Sequence, residues 1–339
     1  MVPHRGRPAR ILTVPAGLAP FAPGSDAMAS HRARVENHFL ARLKSPADRP
    51  LIIAHRGDSY HAPENTLEAA RQGWEAGADA WEFDVQMTRD GVPVIVHDES
   101  LLRTTDVADR FPGDLRSRDG FRISDLDLDE VKELDAGSWF VAEDGGPRSA
   151  RDFCTIDQLE SAKIADFRSG SISIPTLEEA LLFTKEHGWL ANVEIKSFPD
   201  HPPGLLERAL EVVAATGTAD RVLISSFDHD DVVAARSDHR RYGLGILLAA
   251  PIHRLADYAV DIVGADTVHL SAEILGAESV AYRQRRESVS LRRDIVEALT
   301  GRELPVLVYT VNCVELARHL KQVGAAGFFT DDPTGFKTR

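Results

Sequence analysis

Residues 51–57 read Leu51-Ile52-Ile53-Ala54-His55-Arg56-Gly57, four apolar residues followed at once by two polar side chains and a glycine. The apolar run is short and continuous, without the alternation of a half-exposed strand. Such a run is typical of a parallel strand that is buried on both faces. The polar residues that follow it would then lie at the carboxyl end of that strand.

Runs of the same kind recur along the chain, separated by longer amphipathic stretches. This alternation indicates parallel βα units. No run is followed by a glycine-rich dinucleotide fingerprint, which weakens the case for an open doubly wound sheet. We therefore predict an α/β fold, a (β/α)8 TIM barrel that spans residues 49–335. Its eight predicted strands are Leu51–Ala54, Ala80–Val85, Ala191–Ile195, Val222–Ser225, Gly243–Leu247, Thr267–Leu270, Pro305–Tyr309 and Gly327–Thr330.

One segment interrupts this alternation between His97 and Thr176, where a single helix would suffice to connect two strands. Gly91 turns the chain after the second strand, which predicts a short hairpin there. The polar, charge-mixed residues that follow include too few apolar side chains for a core of their own. We predict a cap subdomain, inserted after the second strand at about residues 107–173, beside the mouth of the barrel.

The composition is that of an acidic globular protein of 339 residues, with 43% hydrophobic residues and a formal net charge of −14. That charge argues against nucleic acid or an anionic membrane surface as a partner. No apolar run is long enough to span a bilayer, so we expect no transmembrane segment. Cys154 and Cys313 form neither a disulfide framework nor a metal-binding spacing, which favours a reducing, cytoplasmic location. The sequence leaves the oligomeric state open.

Residues 1–48 do not share the barrel pattern. Arg5, Arg7 and Arg10 precede a mildly apolar stretch, as in a secretory signal. Prolines interrupt that stretch, and its hydrophobicity is modest. We therefore predict a disordered leader followed by a short helix, or translation that starts at Met28, and keep a secretory signal as the alternative.

Three carboxylates stand at the ends of two predicted strands. Residues two apart in a strand share a face, so Glu82 and Asp84 point the same way. Glu194 and Lys196 are related in the same manner. Three oxygen donors at one barrel mouth suit one hard divalent cation, Mg²⁺ or Ca²⁺. The alternative is a salt-bridge network with Arg56 and Lys196, since a buried carboxylate is costly unless it is paired or binds a metal.

Two histidines occupy similar places, because His55 ends the first strand and His97 ends the hairpin after the second. A single histidine there is more often a core or capping residue, but two at one mouth can act as general base and general acid. The sequence does not distinguish which is which. Arg56 offers a planar fork for phosphate oxygens. His269 also ends a predicted strand, and we interpret it as a packing residue.

Several polar residues near these motifs are interpreted as helix starts. Asn65, Thr176 and Asn312 are each followed three residues later by a glutamate, which is a capping-box pattern. We assign these three residues and Glu64 to helix starts that shape the mouth.

The order of these motifs resembles the glycerophosphodiester phosphodiesterase family over about Leu51 to Pro333. The resemblance rests on His55-Arg56-Gly57, Pro63-Glu64-Asn65-Thr66, Glu82-Phe83-Asp84, His97-Asp98, Leu134-Asp135-Ala136-Gly137, Ile174-Pro175-Thr176-Leu177, Glu194-Ile195-Lys196 and Ser226-Phe227. It implies a phosphoric diester hydrolase with a TIM barrel, one divalent cation and a small-molecule phosphodiester substrate. By similarity, the acid–base pair is His55 and His97, the metal ligands are Glu82, Asp84 and Glu194, and the substrate-binding residues are Arg56, Lys196 and Tyr309.

Three features depart from the pattern of that family. Tyr309 stands where tryptophan is usual, and Asp332 stands where arginine is common. The segment between Phe140 and Ile174 is longer than usual. All three concern the wall and rim of the site, so they bear on which substrate the chain takes.

The reaction that the resemblance implies is hydrolysis of a glycerophosphodiester to glycerol 3-phosphate and an alcohol. The nucleophile is water or, first, the neighbouring glycerol hydroxyl, which would give a cyclic phosphate. The nearest alternative is lysophospholipase D-type cleavage of lysophospholipids, which needs an apolar groove at which Trp139 and Phe140 hint. The others are a non-catalytic phosphate-ligand-binding barrel and an unrelated Mg²⁺-dependent barrel lyase. The sequence does not identify the leaving alcohol.

Overall fold

A nine-stranded sheet forms the centre of the molecule. The computed structural model describes residues 37–45, 49–197, 203–237, 242–277 and 291–336, all within the compact unit Val35–Arg339. The strands are β1 (Leu51–His55), β2 (Ala80–Met87), β3 (Pro93–Ile95), β4 (Ala191–Ile195), β5 (Val222–Ser226), β6 (Gly243–Leu248), β7 (Thr267–Ser271), β8 (Val306–Tyr309) and β9 (Gly327–Thr330).

The sheet closes on itself because β1 pairs in parallel with both β2 and β9. Strands β4 to β9 follow one another around the barrel in chain order, and β3 folds back antiparallel on β2 as a hairpin. The closed parallel barrel confirms the predicted fold class. Each predicted strand is present, within two residues of its predicted ends.

Helices lie between the strands and cover the outside of the barrel. Among the described residues, none of them combines the length and the apolar composition needed to cross a bilayer. The α-helices are His38–Lys44, Leu67–Glu75, Val107–Arg110, Leu128–Lys132, Ser161–Phe167, Leu177–Glu186, Leu205–Thr216, His229–Ser237, Leu255–Asp257, Arg293–Thr300 and Val314–Val323. The 3-10 helices are Leu115–Asp119, Ile123–Asp125, Ser138–Val141, Ile156–Gln158, Ala219–Arg221, Ala272–Leu275 and Pro333–Phe336, and Tyr258–Val263 is a π-helix.

The pairing register of the strands decides which polar residues meet at the carboxyl end. Strand β1 aligns His55 with Glu82 of β2, and β2 aligns Asp84 with Glu194 of β4. Because parallel strands all end at the same side of the barrel, these residues reach the mouth at nearly the same height. The sheet therefore assembles the polar residues that the sequence distributes over separate strands.

Apolar side chains fill both sides of the strands. Trp81 on the outside is fully buried against the helices. On the other side, the core includes Phe39 of the helix His38–Lys44. Asn37 precedes this helix and donates from its side chain to the Val222 carbonyl at the start of β5, at 3.0 Å. The helix thus covers the amino end of the barrel, away from the polar mouth.

The segment between β3 and the helix Leu177–Glu186 contains short helices joined by turns. Its apolar side chains pack into two clusters that also include barrel-side residues, Val94 in one and Ala69 in the other. Phe140 is fully buried in the second cluster. The segment is therefore attached to the barrel through shared apolar contacts. Residues 1–36, most of the predicted leader, lie outside the described residues.

His269 is fully buried in the barrel, in agreement with its interpretation as a packing residue. Its Nε2 lies 3.0 Å from the Thr267 hydroxyl, and its ring lies 5.3 Å from that of Phe329. Its Nδ1 has no hydrogen-bond partner in the described part of the chain. Burial lowers the pKa of this imidazole to about 3. The folded protein therefore holds His269 neutral.

We expect His269 to make folding stability depend on pH. Below about pH 6.5, the ordinary histidine value, the unfolded chain binds a proton that the buried imidazole does not. The free energy of unfolding then falls by about 1.4 kcal/mol per pH unit until the folded pKa of about 3 is reached. His55, whose pKa burial lowers to about 4, contributes a slope of the same sign, so His269→Gln should reduce the total slope between about pH 6 and pH 5 in urea denaturation by the share of His269. Exposed His38→Gln is the matched control, and an equal change of slope in the control would contradict the prediction.

Candidate active site

Three carboxylates lie together at the carboxyl end of the barrel. They are Glu82 and Asp84 of β2 and Glu194 of β4, the set that the sequence predicts. One oxygen of each lies within 4.8 Å of the other two, and all three residues are buried. We call this set the carboxylate cluster.

The surroundings of Asp84 keep it ionised. Lys196 Nζ lies 2.9 Å from Asp84 Oδ1, and Arg56 Nε lies 3.3 Å from Oδ2. Asn65 donates from Nδ2 to Oδ2 at 2.9 Å. Burial by itself raises the pKa of Asp84, but the charges of Lys196 and Arg56 outweigh it and hold that pKa well below its usual range.

The pKa values of the other two carboxyls, Glu82 and Glu194, shift in the opposite direction. Burial raises the pKa of Glu82 and of Glu194, and the neighbouring carboxylates raise it further. Glu194 accepts a hydrogen bond from Lys196 Nζ. Glu82 Oε2 accepts from the Arg56 backbone N–H at 2.9 Å. Glu82 Oε1 is buried and has no hydrogen-bond partner among the residues that the structure describes.

This arrangement fits a divalent cation. The alternative, a salt-bridge network, is present in part, since Lys196 pairs with both Asp84 and Glu194. It leaves Glu82 Oε1 without a partner among the described residues, and it does not offset the burial and carboxylate repulsion that raise the pKa values of Glu82 and Glu194. A hard cation would supply the missing positive charge and use oxygen donors of the kind that the cluster offers. The residues present are thus compatible with one divalent metal ion.

A second group of possible metal ligands consists of Asp58, His61 and Asp332. His61 Nδ1 already lies 2.9 Å from Asp58 Oδ1, and the Thr334 hydroxyl donates to Asp58 Oδ2. Asp332 Oδ1 accepts from the Gly335 backbone N–H at 2.9 Å. Because protein groups already engage all three residues, we assign this group no ligand.

The two predicted histidines lie near the carboxylate cluster, His55 beside Glu82 and His97 close enough for its charge to act on Asp84. Each is held through Nδ1 by a carboxylate. His55 Nδ1 lies 2.6 Å from Asp331 Oδ1, and its Nε2 lies 3.9 Å from Glu82 Oε2. His97 Nδ1 lies 2.6 Å from Asp98 Oδ1. The His55 side chain is 13% exposed and that of His97 is 33% exposed. Burial first, and then the charge of Arg56, lower the pKa of His55 to about 4 against the opposing effect of Asp331.

A single buried carboxylate joins the surroundings of both histidines. Glu64, whose side chain is 2% exposed, accepts from Arg56 at 2.8 Å, from Arg103 at 2.7 Å and from Arg148 at 2.6 Å. Arg103 also donates to Asp98 at 2.5 Å, and Arg148 donates to Asp331 at 2.8 Å. Burial raises the pKa of Glu64, but these three guanidinium groups hold it well below its usual range. Each histidine is therefore linked to Glu64 through one carboxylate and one arginine.

Aromatic residues lie on the side of Lys196 and Tyr309. Lys196 Nζ is 5.8 Å from the centre of the Phe227 ring, and Phe227 is 46% exposed. The rings of Phe227 and Tyr309 meet edge to face at 6.0 Å. Tyr309 donates its hydroxyl to the Leu248 carbonyl at 2.7 Å, so its ring rather than its hydroxyl is free to line the mouth.

Comparison with known proteins agrees with this geometry. The sequence profile of the Glycerophosphoryl diester phosphodiesterase family matches residues 55–334. The chain belongs to this family. A glycerophosphodiester phosphodiesterase of Caldanaerobacter subterraneus subsp. tengcongensis is 30% identical over 84% of this chain and 95% of its own length. One of Bacillus altitudinis is 27% identical over 83% of this chain and 94% of its own length.

Solved structures of phosphodiesterases share the fold. A phosphodiesterase of Oleispira antarctica, in complex with the product sn-glycerol-3-phosphate, aligns with a TM-score of 0.65 at 26% identity. The alignment covers 85% of this chain and 96% of that one. A protein of Silicibacter pomeroyi aligns with a TM-score of 0.68 at 24% identity, over 87% and 94% of the two chains. The predicted family is confirmed, and with it the prediction that the chain is an enzyme of the phosphodiesterase class.

In this phosphodiesterase, two residues assigned to helix starts lie in the site instead. The helix Leu67–Glu75 has Thr66 as its N-cap, and Asn65 contacts Asp84. The helix Val314–Val323 begins after Cys313 without a side-chain cap, and Asn312 donates to Asp331 at 2.6 Å. The assignment was wrong because asparagine is equally suited to a cap and to a carboxylate contact.

Of the other two residues assigned to helix starts, Thr176 is confirmed and Glu64 is not. Thr176 forms the predicted capping box with Glu179. Glu64 is a buried ion-pair partner, as described above. Asp98, Arg103, Arg148 and Asp331 are site residues to which the sequence patterns assign no role. Asp98 appears only as part of the motif His97-Asp98, and Asp331 directly follows the last predicted strand. Arg103 precedes the insertion and Arg148 lies within it, where no motif singles out either arginine.

Proposed function

We propose that the chain hydrolyses glycerophosphodiesters to glycerol 3-phosphate and an alcohol, with a divalent cation and two histidines as acid and base. One observation supports this above all: two imidazoles, each held through Nδ1 by a carboxylate, lie near the three clustered carboxylates. General acid–base catalysis requires two such groups, placed toward the nucleophile and toward the leaving oxygen.

Glu82, Asp84 and Glu194 would hold the cation, Mg²⁺ or Ca²⁺. When bound, such a cation polarises phosphoryl oxygens and stabilises the charge that develops on them. Glu82 Oε1, which is buried and has no hydrogen-bond partner in the described part of the chain, supports this assignment.

Arg56 and Lys196 contribute fixed positive charge next to the cluster. Burial opposes the charged form of each, but the surrounding carboxylates outweigh it and raise both pKa values, so both side chains stay protonated. They offset part of the charge of the cluster and provide donors for phosphate oxygens. In an acidic protein, this local positive charge is what allows an anionic diester to approach.

The histidines handle the protons. Arg148 and His55 hold the pKa of Asp331 below its usual range, although burial opposes this. His97 and Arg103 do the same for the pKa of Asp98. An ionised carboxylate only accepts hydrogen bonds, so a neutral imidazole carries its proton on Nδ1 and presents Nε2 to the site. One Nε2 would remove a proton from the nucleophile, and the other imidazole, when protonated, would donate one to the leaving alkoxide.

The burial of the insertion weighs against a lysophospholipid substrate. Phe140, one of the two residues that hinted at an apolar groove, is fully buried against Phe167. Trp139 is covered by the guanidinium of Arg103 at 5.7 Å. An acyl chain would find little exposed apolar surface at these two residues.

The test is product release from a panel of glycerophosphodiesters and lysophospholipids, with Mg²⁺, Ca²⁺ or EDTA. We expect release of glycerol 3-phosphate from the diesters, no release in EDTA, and recovery when one of the cations is added back. The cation that restores the highest rate identifies the preferred metal. Release of lysophosphatidic acid or of a cyclic phosphate would keep the site but change the reaction, and turnover that survives EDTA would contradict the metal.

A further inference from the structure

The insertion contributes one side chain that reaches the surroundings of His55. Arg148 donates from Nη2 to Asp331 Oδ1 at 2.8 Å and to the Ser59 hydroxyl at 3.0 Å. It donates from Nε to Glu64 Oε2 at 2.6 Å. Its guanidinium lies 5.3 Å from the centre of the Phe153 ring, also in the insertion. The group is thus held on several sides, and two of its three nitrogens are engaged by protein partners.

The oxygen that Arg148 holds is the one that holds His55. Asp331 Oδ1 accepts from His55 Nδ1 at 2.6 Å as well as from Arg148. The other oxygen, Oδ2, accepts from Asn312 at 2.6 Å. Within the described part of the chain, Arg148 is the sole permanently charged partner of Asp331. A buried carboxylate keeps its position and its charge when it has such a partner.

The backbone of Arg148 adopts a conformation that is unusual for a residue other than glycine. Its φ is +65°, in the left-handed region that glycine adopts at lower cost. Gly145 and Gly146 lie just before it in the chain, yet arginine occupies the strained position. The contacts of the side chain compensate for this conformation, since residues in such regions persist where the surroundings fix them.

We propose that Arg148 is a positioning residue for His55: by fixing Asp331 Oδ1, it fixes the imidazole and keeps Nε2 directed at the carboxylate cluster. The inference rests on the proposed function. It assigns the long insertion a part in the reaction, because the insertion supplies the outer partner of the Asp331–His55 pair. Arg148 acts through Asp331 and does not need to touch the diester.

The kinetic test compares Arg148→Met and Arg148→Lys with the control Arg151→Met, using glycerophosphocholine as the substrate. Arg151 lies three residues further along the insertion and is exposed, and among the described residues its side chain donates only to the Ala142 carbonyl. We expect Arg148→Met to lower kcat by roughly ten- to a hundredfold, the usual cost of losing such an outer partner, with KM nearly unchanged. Arg148→Lys should recover part of the loss, because lysine keeps the charge without the fork. Arg151→Met should match wild type.

A double-mutant cycle tests the route through Asp331. In an Asp331→Asn background, Arg148→Met should cost little more, because the group through which it acts is gone. Full additivity of the two losses would overturn the proposal. So would a rise in KM with kcat preserved, which would make Arg148 a substrate ligand, or kinetics of Arg148→Met equal to those of Arg151→Met.

An NMR readout separates this inference from the proposed function. In protein labelled with ¹⁵N-histidine, the His55 signals, assigned by their loss in His55→Gln, should show the Nδ1–H tautomer in wild type. They should show a mixture of the Nδ1–H and Nε2–H tautomers in Arg148→Met, and a smaller share of the Nε2–H tautomer in Arg148→Lys. An unchanged tautomer in both variants would overturn the proposal. If wild type turned over no diester, the proposed function would fail, and this readout would still decide the role of Arg148. If Arg148→Met did not fold, Arg148→Lys would carry both readouts.

Discussion

Glutamine in place of Glu194 should lower turnover of the best glycerophosphodiester by a factor on the order of a thousand or more, while the barrel remains folded. A divalent cation contributes several kcal/mol to stabilising a phosphoryl transition state, and each ~1.4 kcal/mol is a factor of ten. The fold should tolerate the change because burial already disfavours the charged form of Glu194. Removing that charge also relieves its repulsion with Glu82 and Asp84. The measurements are kcat, Mg²⁺ and Ca²⁺ binding by titration calorimetry, and thermal unfolding.

The matched control is Glu178→Gln, an exposed glutamate in the first turn of the helix Leu177–Glu186. It should keep wild-type turnover and cation binding. Weakened cation binding together with lost turnover in Glu194→Gln supports the metal assignment. Retained activity would refute it, and lost activity with cation binding intact would move Glu194 from the metal to the substrate.

The barrel and the carboxylate cluster could be predicted because both follow from local pattern. Parallel strands that are buried on both faces read as short apolar runs, and the polar residues that end them share one side of the barrel. Glu82 and Asp84 needed only the two-residue period of a strand to be placed on one face. Glu194 needed only the end of its own strand. No knowledge of side-chain contacts was required for this part of the site.

The partners of the histidines could not be predicted, because they depend on contacts between distant parts of the chain. His55 and Asp331 lie 276 residues apart and meet because β1 pairs with β9. Arg148 reaches Glu64 from the insertion, whose path no periodic pattern describes. For Asn65, the local pattern indicated a helix cap, and the contact with Asp84 appears only once strand and loop are packed together.

Glutamine at His55 or at His97 should each lower kcat on glycerophosphocholine by about 10²- to 10⁴-fold, the usual contribution of one positioned acid or base. Both imidazoles lie beside the carboxylate cluster with Nδ1 bound to a carboxylate, so the loss of either removes a proton-transfer group. These contacts do not show which histidine is the acid and which is the base, because both imidazoles are held through Nδ1 in the same way. The matched control is His187→Gln, at the end of the helix Leu177–Glu186, which should leave kcat unchanged.

A p-nitrophenyl diester of glycerol phosphate should divide the two roles. Its phenolate leaves without being protonated, so a variant that lacks the general acid regains most of its rate, whereas one that lacks the base does not. We expect this recovery in one of His55→Gln and His97→Gln and not in the other, which identifies the acid directly. The measurement is the ratio of kcat on the p-nitrophenyl diester to kcat on glycerophosphocholine in each variant. Recovery of both variants, or of neither, would contradict the division into one acid and one base, because each imidazole would then act on the same side of the phosphorus.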